Sequence, residues 1–194
     1  MASLTQLQKK KTETVQKSSG DRYLSPVFIA EDIESNMIDL QRELQDSRVF
    51  LTFMRHVSCP VSNYRSYELY KRYPEFEKRR IKVIAIYESR RENLLVYRSR
   101  FKLPYTIISD NSTRLFNTFG VESSTWRTTK SRLLGEVKEK KRLGKELFDG
   151  LTLERDGDNN RMPADFMIEK DGTISVMHFG KNIGDHMPLE KVLM

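Results

Sequence analysis

The stretch Val49-Phe50-Leu51-Thr52-Phe53-Met54-Arg55-His56-Val57-Ser58-Cys59-Pro60 decides the fold. Its first six residues are apolar, β-branched or aromatic, which reads as a buried strand. From Pro60 to about Arg72 the chain reads as a helix, with Tyr64, Tyr67, Tyr70 and Tyr73 at helical spacing and packed inward. Cys59 therefore falls at a strand-to-helix turn. Pro60 takes the first helical position, where its missing N–H costs nothing. A sulfur at that place faces the unpaired N–H groups and the positive end of the helix dipole, which favour thiolate over thiol. The competing reading is a small buried hydrophobe, the common fate of a free cysteine.

Working outward, residues 1–20 are polar and lysine-rich and close on Ser18-Ser19-Gly20, which reads as a flexible tail ahead of a domain over 21–194. Ser25 to Ala30 predicts a short edge strand opened by Pro26, and Asp39 to Leu44 a helical turn. Ile81 to Tyr87 is the clearest strand in the chain, and Pro74 is expected to kink or restart the helix before it. Glu92 to Phe101 predicts an amphipathic helix. A strand over Tyr105 to Ile108 comes next, then a short helix from Thr113 to Phe119 stopped by Gly120. Ala164 to Ile168 and Thr173 to Phe179 form a hairpin around Asp171-Gly172, and Leu189 to Leu193 a last helix. Strands alternating with helices and ending in a hairpin give an α/β fold, a central mixed sheet flanked by helices on both faces.

Residues 122–160 interrupt this order as a polar, basic insertion before the C-terminal hairpin. Within it Ser131 to Leu147 has the thin apolar stripe of a surface helix (Leu133, Leu134, Val137, Leu143, Leu147). Glu136, Glu139 and Glu146 dilute its basic residues, which argues against a nucleic-acid face. Net charge is +7 over 194 residues, which permits acidic partners without identifying one. A single cysteine excludes an internal disulfide and fits a reducing, cytoplasmic setting. Residues 1–17 have no apolar run of a signal peptide, and no stretch approaches the ~18 apolar residues of a spanning helix.

The element order is that of thioredoxin, and four segments make the chain resemble the peroxiredoxin-like branch of the alkyl hydroperoxide reductase/thiol-specific antioxidant (AhpC/TSA) family. They are Ser25-Pro26-Val27-Phe28; Phe53 to Pro60, similar to an aromatic-x-Arg-x-x-x-Cys-Pro segment; Ile108-Ser109-Asp110 leading to Phe119-Gly120-Val121; and Pro163 to Gly172. The resemblance implies a thioredoxin-like fold over about residues 20–194, with Cys59 as redox cysteine. It also implies a cis Met162–Pro163 bond that holds the Met162 backbone beside the sulfur, where an extended thiol or disulfide substrate would pair. An ordinary trans proline opening a strand is the other reading of Pro163.

The chain also departs from the family. Peroxiredoxins proper carry Pro-x-x-x-Thr-x-x-Cys, and Thr52 and His56 stand in those two places. Pro163 stands where their catalytic arginine is expected. Arg55, His56, Arg127 and Arg161 are the residues available to replace that cation. The Cys-x-x-Cys pattern ends at Ser62, so a mixed disulfide has no internal thiol to resolve it. The Ser62 hydroxyl either donates to the thiolate or supports the helix backbone. His56 either tunes the thiol, as cation or as base, or is a strand-end histidine without a role.

Other motifs fail. His56, Cys59, His178 and His186 lack a known zinc spacing, and a calcium loop at Asp156 lacks its glycine and closing glutamate. The expectation is therefore a protein without metal or cofactor. It would reduce a hydroperoxide through Cys59 and be restored by an external thiol, either glutathione or a thioredoxin-like protein, acting without nucleic acid or membrane. The rivals are a monothiol disulfide-exchange protein and a non-catalytic redoxin-fold binding module.

Overall fold

A computed structural model of the chain describes residues 23–150 and 153–194, so the tail expected at 1–20 lies outside the described residues. Strand β3 (Arg48–Met54) is the centre of a five-stranded sheet. Strands β4 (Ile81–Tyr87) and β5 (Thr106–Ser109) lie parallel on one side of it. On the other side lie the antiparallel β6 (Ala164–Ile168) and β7 (Ile174–Phe179), the two arms of the expected hairpin, with Gly172 at φ +81° in the turn. The parallel strands need crossover helices and the antiparallel pair needs only a turn, so the mixed sheet follows from the lengths of the connections.

Because β3 is covered on both faces, its alternate residues feed two cores. Phe50 and Met54 pack beneath helix α2 (Pro60–Lys78), helix α3 (Arg91–Phe101) and the last helix, Leu189–Val192. Val49, Leu51 and Phe53 face helix α1 (Leu40–Asp46) and helix α4 (Arg114–Thr118). Each fully buried Leu, Ile or Phe here stabilises the fold by roughly 1.5–3 kcal/mol. No helix among the described residues is long and apolar enough to cross a membrane.

Four local expectations are corrected. The proline-opened segment does not join the main sheet: β1 (Ile29–Glu31) pairs with β2 (Met37–Asp39) as a separate two-stranded ribbon, tied to β5 by a bridge between Asp32 and Ile108. Pro74 does not restart the helix: α2 is continuous from Pro60 to Lys78. The backbone bond Pro74 cannot make lies on an exposed side, while Phe76 anchors the extension by stacking on Phe50 at 5.7 Å. Tyr70 of the tyrosine series points to solvent, and only Tyr67 and Tyr73 reach the core.

The fourth concerns the insertion, which holds two helices, α5 (Thr125–Ser131) and α6 (Gly135–Leu147). Leu133 and Leu147 are exposed. The inward face of α6 is instead Val137 and Gly144, with Leu134 and Leu143 half-buried. At Gly144 a Cβ atom would run into the Pro60 carbonyl. Only glycine lets α6 cross so close to the first turn of α2, and this contact lays the insertion over the Cys59 turn.

Candidate active site

β3 ends at Met54, and a four-residue turn brings the chain to Cys59, the N-cap of α2, with Pro60 opening the helix. The turn is held by the Cys59 N–H donating to the His56 carbonyl at 2.9 Å. The sulfur is packed in a small cluster with Val61, Val137, Met162 and Ile183, and Cys59 is 5% exposed. This burial agrees with the plain hydrophobe reading, but the polar contact at the sulfur does not. Arg55 Nη1 donates to Cys59 Sγ at 2.9 Å.

Arg55 is itself buried and makes no ion pair among the described residues. Its Nη2 donates to the Asn159 carbonyl, and its Nε is a buried donor without a hydrogen-bond partner. A buried guanidinium with no carboxylate at ion-pair distance is costly; the Asp158 carboxylate feels the Arg55 charge from farther off, and the side chain that Arg55 bonds is Cys59. Arg127 and Arg161 are committed elsewhere. Arg127 pairs with Glu122 and donates to the Gly180 carbonyl at 3.3 Å. Arg161 bonds Glu88 at 2.6 Å and lies 4.8 Å over the Phe116 ring.

His56 is a brace for the turn. Its Nε2 meets Asn159 Oδ1 at 3.0 Å and its Nδ1 meets Ser58 Oγ at 2.8 Å. Burial, helped by the Arg55 cation, pushes its pKa down to about 4, so the ring is neutral at pH 7. It then carries its proton on Nε2 and accepts from Ser58 through Nδ1. Both nitrogens are spent, so the ring neither adds a positive charge nor offers a base to the thiol.

The loop that supplies Asn159 presses in at Gly157, where a Cβ would clash with the Glu88 carbonyl and with His56. Asp156 anchors the loop by accepting from Ser89 Oγ at 2.7 Å and the Arg90 amide at 2.8 Å. Ser62 is buried one turn along α2, and its carbonyl accepts from Ser66. The hydrogen bond at the sulfur comes from Arg55, not from Ser62.

Met162 packs in the sulfur cluster, and its N–H is bonded to the Glu122 carbonyl at 3.0 Å. Every described peptide bond is trans, the Met162–Pro163 bond included. Pro163 opens β6 and its carbonyl accepts from Gly180 at 2.9 Å. The expected cis bond and free backbone edge are therefore corrected: the insertion takes up the amide that an extended substrate would need.

Beside the turn lies a cavity of about 490 Å³ walled by Val57, Ser58, Pro60 and Asn63 on one side and by Lys145 and Phe148 on the other. Asn63 Oδ1 is buried without a hydrogen-bond partner.

A second buried polar cluster escaped the sequence reading. Asp165, opposite Thr52 in the sheet, accepts from the Thr52 hydroxyl at 2.6 Å, His186 Nδ1 at 3.0 Å and the Met187 amide at 2.6 Å. Burial works against its charge, but His186 and Arg65 outweigh it and hold the carboxyl well below the usual carboxylate range. Burial lowers the His186 pKa against the pull of Asp165.

The histidines give a pH prediction. His56 has a folded pKa below its unfolded value, so its folded state loses stability as pH falls from about 6.5 toward 4. His186 acts in the same sense, and His178, raised by its hydrogen bond to Asp185, in the opposite one. The His56 share of the loss between pH 7 and pH 5 is expected to be about 1–2 kcal/mol. Urea unfolding at both pH values should show a smaller drop for His56→Asn than for wild type; equal drops would contradict the neutral, buried assignment.

A model of the AhpC/TSA family matches residues 24–177. No curated protein matches the chain by sequence. Among solved structures, peroxidoxin BcpB from Mycobacterium tuberculosis is 15% identical, with 88% of this chain and 91% of that chain covered and a TM-score of 0.63. A cysteine-to-serine mutant of peroxiredoxin 6 of Arenicola marina is 17% identical, with 88% and 68% covered and a TM-score of 0.64. A yeast mitochondrial 1-Cys peroxiredoxin, described with a thiol resolving mechanism via glutathione/thioredoxin systems, is 17% identical, with 88% and 71% covered and a TM-score of 0.60. At these identities the likeness is one of fold, the thioredoxin-like arrangement described above.

Proposed function

The chain belongs to the AhpC/TSA family, and from that premise we propose that it is a thiol-based peroxidase working through Cys59 alone. The observation that carries this reading is the Arg55 guanidinium at 2.9 Å from the sulfur, buried and without an ion pair among the described residues. The Cys59 thiolate attacks one oxygen of a hydroperoxide and the O–O bond breaks. The other oxygen leaves as alkoxide or hydroxide and is protonated, and the sulfur becomes sulfenic acid. Charge moves from sulfur to the leaving oxygen during this step. A fixed cation stabilises that transfer most where water is excluded. Arg55 is that cation, and its unpartnered Nε is a spare donor for a peroxide oxygen. His56 acts as a brace of the turn.

The reductant must come from outside, because the chain has no second sulfhydryl. One small thiol condenses with the sulfenic acid, releasing water and leaving a mixed disulfide; a second releases Cys59. Glutathione or a thioredoxin-like protein in a reducing compartment such as the cytoplasm has the required chemistry. The burial of the sulfur and the occupied Met162 N–H favour a peroxide-sized substrate over the bulky disulfide of an exchange protein.

The test is the intact mass under non-reducing conditions. One equivalent of hydrogen peroxide is expected to add one oxygen to the monomer, and subsequent glutathione to convert it to a mixed disulfide. An unchanged mass would sink the reading and support a non-catalytic module. A dominant Cys59–Cys59 dimer would move resolution to a second copy.

A further inference from the structure

On the flank of α2 away from the Cys59 cavity, a second cavity of about 380 Å³ opens between α2, the middle of α6 and the segment His186 to Glu190. Its volume lies within the range of small-molecule sites. The deepest charge on its wall is Arg65, whose side chain is 4% exposed. That guanidinium is only partly used: Nη2 donates to the Met187 carbonyl at 2.8 Å, while Nε is buried without a partner. Its carboxylates are poor matches. Glu68 stands at 3.5 Å and is one-third exposed, and Asp165 stands at 3.9 Å and is already shared with Thr52, His186 and the Met187 amide. A buried arginine left this incomplete calls for an ion or ligand to finish its bonding.

Two more cations line the same space. Lys71 makes no ion pair among the described residues, and Lys140 spends one proton on the Gly184 carbonyl at 2.7 Å. Arg72 on the rim is neutralised by Glu75 and Glu190. Arg65 faces the buried Asp165 and the partly exposed Glu68, which leaves Lys71 and Lys140 as the cavity cations without a carboxylate at ion-pair distance among the described residues. Tyr64 and Tyr67 add phenol donors and ring faces, and Leu189 adds an apolar wall. We propose that this cavity binds a small organic anion, its carboxylate or phosphate head against Arg65, Lys71 and Lys140 and its apolar part against the two tyrosines. None of these residues belongs to the Arg55–Cys59 site.

The test is a titration of the isotope-labelled full chain with benzoate and with phenyl phosphate, read by backbone amide shifts, with phenol as the uncharged control. Saturable shifts confined to Tyr64–Arg72 and His186–Glu190 are expected with at least one anion and not with phenol. Benzoate alone would identify a carboxylate-bearing ligand, phenyl phosphate alone a phosphate-bearing one, and both a site that reads charge rather than head geometry. Lys71→Glu and Lys140→Glu should each weaken binding by about tenfold or more, while Lys102→Glu, exposed on another face, should not. Equal binding of phenol, no saturable shift, or affinity unmoved by both cavity substitutions would overturn the proposal.

Discussion

Replacing Cys59 with serine is expected to leave no measurable peroxide turnover in the presence of an external thiol. A serine hydroxyl stays protonated at neutral pH and is not oxidised by peroxide, and the chain has no other thiol or disulfide to take over. The fold should survive. Oγ is slightly smaller than Sγ, and the hydroxyl still accepts from Arg55, so the sulfur cluster of Val61, Val137, Met162 and Ile183 loses little contact. Coupled turnover with peroxide and glutathione, read beside a thermal melt, checks both halves. Activity near wild type in a folded Cys59→Ser protein would place the chemistry elsewhere.

Arg55→Ala is expected to slow the reaction of Cys59 with hydrogen peroxide by about 10²–10³-fold, the size found when one preorganised charge stabiliser is removed from a buried site. The position is sensitive because nothing nearby replaces the guanidinium: Arg127 is held by Glu122 and Arg161 by Glu88. Arg55→Lys should recover part of the rate, since it restores charge but not the fork that bonds the sulfur and Asn159 together. His56→Asn should change the rate far less, because that ring is neutral and both its nitrogens are engaged. A single-turnover measurement of sulfenic acid formation separates these variants. Equal rates for Arg55→Ala and wild type would remove the proposed role of the cation.

The features legible in the sequence were local. The strand at 48–54, the turn at Cys59 and the helix from Pro60 each declare themselves within a few residues through β-branched runs, a proline at the first helical position and helical tyrosine spacing. The hairpin at Asp171-Gly172 and the helix stop at Gly120 are legible for the same reason: both need positive φ, and both glycines adopt it. Pro74 does not restart the helix, because a proline's cost depends on whether the freed carbonyl is wet and on how the next turn packs. Here Phe76 pulls that turn onto Phe50.

The site was half legible. Cys59 and Arg55 share one short segment, yet the choice of Arg55 over Arg127 and Arg161 rests on partners far away along the chain, such as Glu88 for Arg161 and Asn159 for Arg55, which spacing does not encode. The neutral state of His56 is likewise imposed by burial beneath the loop that Gly157 lets in and by the Arg55 cation, against the pull of its hydrogen bond to Asn159. The cover over the sulfur was hidden for a different reason. The residue that seats α6 against Pro60 is Gly144, and its contribution is the absence of a side chain. The pairing of Asp165 with Thr52, His186 and Arg65 brings together four distant segments, and a lone acidic residue in an apolar strand was the only trace of it.

On the proposed reading, Arg55 and the α2 N-terminus make Cys59 a peroxide-reactive thiol despite its burial. Stopped-flow mixing of the reduced full chain with hydrogen peroxide, monitored as loss of the Cys59 thiol, tests it most directly. A second-order rate at least about a hundredfold above that of free cysteine at the same pH is expected. A rate equal to or below that of free cysteine, the behaviour of an inert buried sulfhydryl, would contradict it.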